Sequence, residues 1–481
     1  MIYQDGNKIK YNFLPIILIK PHSINMSSAA GNVNLHITPS NVLSSGKISF
    51  KSGNPVIQFL IGEQDRLLLG SSVRLCGKVN FWSNDPGTNI PTKTDALSWD
   101  CRTGMYSAID QVVIKSQATH QVIEHIKNYN RMMASYIPST TSVEDGYAHL
   151  SQSALITPNY ESSKRTIMDN LGQKQGGNSF CLHLPCGLFN GTQGIPLSGN
   201  GGVGGLLVEI HLAPDNNVLF DRKGTSVAST LNQSYYELSD VHMVCEAVED
   251  VRPPGQTSTF EYNSISSYFA SVNSTNAIIN FNLGLSRVLG VFMNFIPSHM
   301  INNWDANGMA TMPLQNVDNT RADIKQIVYT RGGQKYPFMF NLDLEQKTQP
   351  LQEQYDPVFV RNGIDAIRAF TKASRVINAP TNGRLKKRRA ESFTIQGNSW
   401  AGVDAGSSPA GTNNANKDGG DCYTLGVGFD SISNQGISFA TESFGVNLHT
   451  GLTSDYPHGV FMFAHAKNTL VFGPGGVQVI N

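Results

Sequence analysis

The stretch from Phe180 to Phe220 constrains the fold of this chain more than any other part of it. It reads FCLHLPCGLFNGTQGIPLSGNGGVGGLLVEIHLAPDNNVLF, which is two segments of alternating apolar residues separated by a loop of glycine and small side chains. The residues that share a face are Phe180, Leu182 and Leu184 in the first segment and Leu206, Val208, Ile210 and Leu212 in the second. Because side chains alternate between the two faces of a strand, each segment predicts a strand with one buried face. Such a pair predicts one side of a β-sandwich.

Length and charge limit the organisation and the partners of the chain. Its 481 residues are too many for one ordinary core and suit two domains of about 200 residues each. The net charge is +0, and only 15% of the residues are charged, against an average of about 25%. This balance excludes a dedicated polyanion-binding domain. Few charges together with 40% apolar residues favour a surface that is partly covered by other copies of the chain.

Glycine and cysteine usage point to a reduced all-β protein. The 45 glycines suit many short strands joined by turns, since glycine adopts positive φ without strain. The six cysteines are too dilute for a disulfide scaffold and lack paired C-x-x-C spacings. We therefore expect reduced, mostly buried thiols.

Both halves of the chain read as strands, one helix and further strands. Alternation predicts one face of a strand at Val73, Leu75, Val79 and Phe81, and one at Val241, Met243, Cys245 and Ala247. An apolar stripe predicts a helix through Val122, Ile126, Tyr129 and Met133, capped by Thr119 and ended by Pro138. A second stripe predicts a helix through Val360, Ile364, Ile367 and Phe370. Because strands and helices do not alternate regularly, the sheets are predicted to be antiparallel.

This pattern, from about Ile48 to Val479, resembles the double jelly-roll major capsid proteins of double-stranded DNA viruses, the lineage of adenovirus hexons, virophages and polinton-like viruses. The stretch IDQVVIKSQATHQVIEHIKNYNRMMASY is similar to the strand-then-helix unit of the first barrel, and FMFAHAKNTLVFGPGGVQVIN is similar to the last strands of the second. The resemblance implies an all-β fold of two consecutive eight-stranded antiparallel jelly-roll sandwiches, each with a short inserted helix. We expect an N-terminal arm or gene-model extension at 1–40, the first jelly roll at 41–221, a linker at 222–239 and the second jelly roll at 240–481.

The resemblance also implies a function. It predicts a structural virion protein, not an enzyme, that forms pseudo-hexagonal homotrimeric capsomers of an icosahedral shell. Expected partners are neighbouring capsomers, penton proteins and minor capsid proteins, with at most weak genome contact. The expected location is the virion, after synthesis in the host cytoplasm. The alternatives are a cellular jelly-roll protein that binds or processes glycans, with Trp82, Trp99, Trp304 and Trp400 as stacking platforms, and a single-domain vertex or spike protein.

Other motifs predict no chemistry. Gly199, Gly201 and Gly204 satisfy G-x-G-x-x-G, but they lead into the strand pattern LLVEIHL, and a dinucleotide site needs a helix there. Cys181, His183 and Cys186 offer three zinc ligands without an evident fourth. The hydrolase motifs G-x-S-x-G and H-E-x-x-H and a Walker loop are absent from the sequence. We therefore predict no catalytic residue, no cofactor and no metal.

One dense run of basic residues stands apart from this balanced composition. It lies in GRLKKRRAES and comprises Arg384, Lys386, Lys387, Arg388 and Arg389. Three interpretations stay open: a nuclear import signal, a surface that faces the genome phosphates, and an ordinary solvated loop.

The N-terminal segment carries a weak imitation of a signal peptide. Lys8 and Lys10 precede the apolar run Phe13–Ile19, which contains Pro15. Seven residues cannot span a bilayer, so we expect no stable membrane span. An alternative start of synthesis at Met26 stays open, as does an arm that contacts neighbouring subunits.

Overall fold

The computed structural model shows two antiparallel β-sandwiches formed by consecutive parts of the chain. The residues that it describes are 31–42, 46–51, 53, 55–82, 97–100, 103–140, 153–156, 178–191, 193–221, 234–252, 259–304, 306–309, 324–335, 342–343, 425–429, 436–452, 456–473 and 476–481. The predicted fold class is confirmed: every strand pairing among these residues is antiparallel.

The first sandwich packs two sheets face to face. Sheet 1 has the order β1 (Val33–Ile37), β11 (Tyr235–Glu249), β3 (Arg66–Trp82) and β7 (Asn178–His183), with β8 (Gly194–Pro196) also on β3. Sheet 2 has the order β2 (Val56–Ile61), β9 (Leu206–Leu212), β5 (Ile109–Ser116) and β6 (Val122–Ile126). Beside them lie the pair β4 (Leu97–Trp99) and β10 (Leu219–Asp221), a 3₁₀ turn (Gly104–Ala108), helix α1 (Tyr129–Thr140) and a short helix α2 (Asp215–Val218).

The second sandwich repeats this arrangement. Sheet 3 has the order β12 (Thr259–Val272), β20 (His458–Gly473), β14 (Val288–Pro297) and β18 (Leu425–Gly428), with β21 (Gly476–Ile480) also on β20. Sheet 4 has the order β13 (Asn276–Phe281), β19 (Phe444–Thr450), β15 (Ile324–Arg331) and β16 (Gln334–Lys335), with β17 (Leu342–Asp343) also on β15. A 3₁₀ turn (Ser298–Met300) follows β14.

The alternation that predicted the strands also describes their burial. The inward residues of β3, from Val73 to Phe81, and those of β11, from Val241 to Ala247, are at most 1% exposed. The same holds for Leu206, Val208 and Ile210 on β9. The core of the first sandwich is therefore built from the face that the sequence pattern assigns to it.

The first predicted helix begins later than its apolar stripe suggested. Val122–Ile126 is strand β6, paired with β5, and Thr119 lies in the turn between these strands. A spacing of four residues puts side chains on the same face of a strand as well as of a helix, so the stripe was ambiguous at this end. The helix begins at Tyr129, after Asn128 with φ of 53°, and continues past Pro138. The second predicted helix, at Val360–Phe370, lies outside the described residues.

The predicted linker at 222–239 and the start of the second barrel at 240 do not coincide with the sheets. Strand β11 runs through Asp240, with an irregularity in its pairing between Ser239 and His242, and pairs with β1 and β3 of sheet 1. The end of the predicted linker and the beginning of the predicted second barrel therefore both belong to the first sandwich. The next strand, β12, begins at Thr259 in sheet 3.

Candidate assembly interface

Strand β14 of sheet 3 is buried on both faces, and this double burial joins the two sandwiches. All ten residues of β14 are buried, although its side chains alternate between faces. Val291 and Met293 belong to the core of the second sandwich. Phe292 and Ile296 belong instead to the apolar cluster that is centred on the first sandwich. The junction between the sandwiches is thus an extension of a core, and its burial favours one fixed relative position.

A buried carboxylate connects strands on the two sides of this junction. Glu124 on β6 accepts backbone hydrogen bonds at Oε1 from Gly187 (3.0 Å) and Ile265 (2.9 Å), and at Oε2 from Leu188 (3.0 Å). Burial raises the pKa of Glu124 to about 7, and the three amide donors limit this rise. One acidic side chain therefore satisfies backbone donors of both sandwiches.

A second polar contact fixes helix α1 against sheet 3. The Nδ2 group of the fully buried Asn294 donates to the Arg131 carbonyl (2.8 Å) and to Ser135 Oγ (3.0 Å). The Arg131 guanidinium lies over the Phe461 ring, 4.9 Å from its centroid, and donates to Asn217 Oδ1 (2.7 Å). Burial lowers the pKa of Arg131 to about 9, so the side chain is charged at neutral pH.

The backbones of the two sandwiches approach each other closely at Gly187. A Cβ atom at this position would overlap the carbonyl oxygen of Asn263 on β12. Only a residue without a side chain fits here, and two of the three amides that bind Glu124 are those of Gly187 and the following residue. The short segment after β7 is therefore shaped for contact with the second sandwich.

Further hydrogen bonds connect the two sandwiches and the segments beside them. Tyr262 donates to the Ile123 carbonyl (2.7 Å), Asn307 to Asp100 Oδ2 (2.6 Å) and Asn216 to the Asn302 carbonyl (2.8 Å). Each joins residues of the first sandwich to residues that follow β11. The junction thus combines apolar burial with directional hydrogen bonds. These bonds favour one angle between the sandwiches in addition to holding them together.

Several large apolar side chains remain exposed on the chain. Among the described residues, the four most exposed are Val251 (87%), Ile278 (72%), Phe269 (61%) and Ile480 (53%). Ile278 points outward from the edge strand β13, and the Phe269 ring packs at a tilt against Phe461 with ring centroids 5.2 Å apart. These side chains are candidates for contact with other copies of the chain.

The structure does not bring the candidate zinc ligands together. The basic run Arg384–Arg389 lies outside the described residues. Cys181 is exposed whereas Cys186 is buried, and within the described ranges no three His, Cys, Asp or Glu side chains form a group that could hold a metal. The glycine loop contains Gly201 and Gly204 at φ of 86° and 64°, and strand β9 follows it. No helix in the described part of the chain is long and apolar enough to cross a membrane.

The tryptophans serve packing where the structure describes them. Trp99 is fully buried, with its ring edge-on to Phe81. Trp82 stacks on Tyr235, and Trp304 packs against the first core. Trp400 lies outside the described residues.

Few features of the sequence predict the residues that form the junction. Glu124 is a lone carboxylate in the apolar run VIEHI, which is a sign of a buried, hydrogen-bonded acid. Gly187 directly follows the buried Cys186, and nothing local distinguishes it from other glycines. Asn294 lies within the apolar strand VLGVFMNFIP, where a polar amide indicates a specific partner.

The comparisons with known proteins identify the fold. No protein-family model matches the sequence, and no curated protein matches it. The structure is similar to a chain in a quasi-atomic model of the PBCV-1 virus capsid, with a TM-score of 0.52, 10% identity, and 94% of this chain and 96% of that chain covered. It is similar to a chain in the cryo-EM structure of the Sputnik virophage, with a TM-score of 0.54, 11% identity, and 98% and 93% covered. The chain thus has the double jelly-roll fold of viral capsid proteins, and the resemblance drawn from its sequence is confirmed in fold.

Proposed function

We propose that this chain is the major capsid protein of a double-stranded DNA virus and that it assembles into homotrimeric capsomers. The proposal is supported by a fold shared over 94% of the chain with a component of the PBCV-1 capsid and over 98% with a component of the Sputnik virophage. Its role is architectural, and its location is the virion.

The observation that carries the proposal is the buried junction between two similar sandwiches. Three chains related by a threefold axis contain six sandwiches. These six sandwiches form an approximately hexagonal outline only when the two sandwiches of each chain keep one relative orientation. Strand β14, buried on both faces, supports such an orientation, as do the contacts of Glu124 and Asn294. In this proposal the first sandwich ends with β11 and the second begins with β12.

The surfaces of the capsomer are part of the same proposal. Exposed Ile278 and Phe269 lie at contacts with neighbouring chains or capsomers, where apolar side chains lose water on assembly. Penton and minor capsid proteins occupy other edges. The basic run Arg384–Arg389 acts in nuclear import or in weak genome contact, or is a solvated loop.

Native mass spectrometry of the purified chain tests this proposal. The expected particle is a trimer of 52.4 kDa chains, about 157 kDa in total, as cyclic closure requires. A glycan array serves as the second arm, because the competing function is a cellular glycan-binding jelly roll. A monomer that binds a defined glycan would overturn the capsid proposal.

A further inference from the structure

Two cysteines face each other on the outer surface of the first sandwich. Cys76 on β3 and Cys181 on β7 are direct partners in the antiparallel register. Their Sγ atoms are 3.1 Å apart. Cys181 is exposed and Cys76 is partly exposed, whereas the neighbouring side chains Leu75 and Leu182 point into the core. Solvent and small molecules therefore reach the pair from outside.

The backbone geometry suits a covalent bond between these sulfurs. Opposed residues of an antiparallel ladder have Cα atoms roughly 4.5 to 5.5 Å apart, which lies inside the range that disulfides span. Bond formation requires the sulfurs to approach each other by about 1 Å. Because both side chains lie on the outer face, they can make this adjustment by rotation about their own bonds.

The surroundings of the pair make Cys181 the nucleophile. The Cys76 thiol donates a hydrogen bond to the Cys181 sulfur and so lowers the pKa of Cys181 to about 6, while burial opposes this effect. Electrostatic interactions with Arg74 and with His242 lower the pKa of Cys181 further. His242 is the partner of Cys76 on β11, and its Nδ1–H donates to the Asp240 carbonyl (2.8 Å). A thiolate is the reactive form of cysteine.

We propose that Cys76 and Cys181 form a redox-active cross-strand dithiol, which a small-molecule disulfide such as oxidised glutathione converts to an intramolecular disulfide. The Cys181 thiolate attacks one sulfur of the small molecule, whose disulfide bond breaks, and the leaving thiolate takes up a proton. The Cys76 sulfur loses its proton, attacks Cys181 in the mixed disulfide and expels the second thiol. The protein loses two electrons, and the small disulfide is reduced to two thiols.

The Cys76–Cys181 disulfide would stabilise the edge of sheet 1. Strand β7 is the last strand in the order of this sheet, and a bond from it to β3 closes a long loop, since the two cysteines lie 105 positions apart. Closing a long loop restricts the unfolded chain and stabilises the folded one. The reducing interior of a cell keeps the pair as thiols, and the environment outside it favours the disulfide.

The test uses the purified full chain in a background of Cys101→Ser and Cys422→Ser, which leaves the four described cysteines. Incubation with oxidised glutathione at pH 7 is followed by intact mass and peptide mapping. The expected product has lost two hydrogen atoms, links the peptides of Cys76 and Cys181, reverts with dithiothreitol and melts at a higher temperature. Adding Cys245→Ser, which removes a buried thiol, serves as the matched control and leaves the reaction unchanged.

Single variants separate the two roles. In the Cys76→Ser variant, Cys181 stays in a mixed disulfide with one glutathione, because there is no neighbouring thiol to attack this bond. With Cys181→Ser, Cys76 reacts roughly tenfold more slowly, since it lacks the stabilised thiolate. The proposal is overturned by a stable mixed disulfide at Cys181 in the presence of Cys76, by cross-links only between different chains, or by no oxidation of the folded protein.

Discussion

Protonation of Glu124 couples the stability of the sandwich junction to pH. The pKa of this buried carboxyl is raised from 4.5 to about 7. Between these two values the folded chain holds a proton that the unfolded chain has released. The free energy of unfolding therefore falls as pH rises through this window, and the contribution of Glu124 to it is smallest above pH 7. At 1.36 kcal/mol for each pH unit, the loss is roughly 3 kcal/mol.

Denaturant unfolding of the wild-type chain and of Glu124→Gln, at pH 5 and pH 8 and at one protein concentration, measures this effect. Glutamine cannot ionise. The free energy of unfolding of the variant, relative to that of the wild type, should therefore rise by roughly 3 kcal/mol from pH 5 to pH 8. The difference between the two proteins is the informative quantity, because Asp215, His183 and His458 also titrate with shifted pKa values. Glu246→Gln, which removes an exposed carboxylate from β11, controls for the loss of charge alone. A difference between wild type and Glu124→Gln that stays constant with pH would refute the reasoning.

Three further predictions concern the junction and its surroundings. Gly187→Ala forces a Cβ atom into the backbone of β12 and should lower the free energy of unfolding by at least about 3 kcal/mol or abolish soluble expression. Gly191→Ala is the control, because a Cβ atom there would lie 3.7 Å from its nearest neighbour. Urea unfolding compares the two variants. Asn294→Ala removes both bonds to α1 and should cost about 1 to 3 kcal/mol, against little for the exposed Asn34→Ala in the same assay. Burial lowers the pKa of His458 from 6.5 to about 4, so the unfolded chain binds the extra proton and stability is lost as pH falls below 6.5. Between pH 7 and pH 5 the wild type should lose roughly 2 kcal/mol more than His458→Asn, and equal losses would contradict this assignment.

Periodicity predicted the strands and their buried faces because a half-buried strand needs alternation wherever it lies in the fold. The same reasoning failed at Val122–Ile126, where the spacing fits both a strand and a helix. This segment is a strand because it pairs with the edge of β5. It also failed at residue 240, since nothing local tells a strand which sheet it will join. The junction was the least predictable part: Glu124 and Gly187 acquire their roles only from β12, which follows them by more than 70 positions in the chain.

Imaging of the purified chain tests the proposed homotrimeric capsomer most directly. Electron microscopy of the purified particle should give projections with threefold symmetry and six lobes, one for each sandwich, as follows from two sandwiches held at a fixed angle in each of three chains. Projections of single chains, or of particles whose two lobes vary freely in their relative orientation, would contradict it.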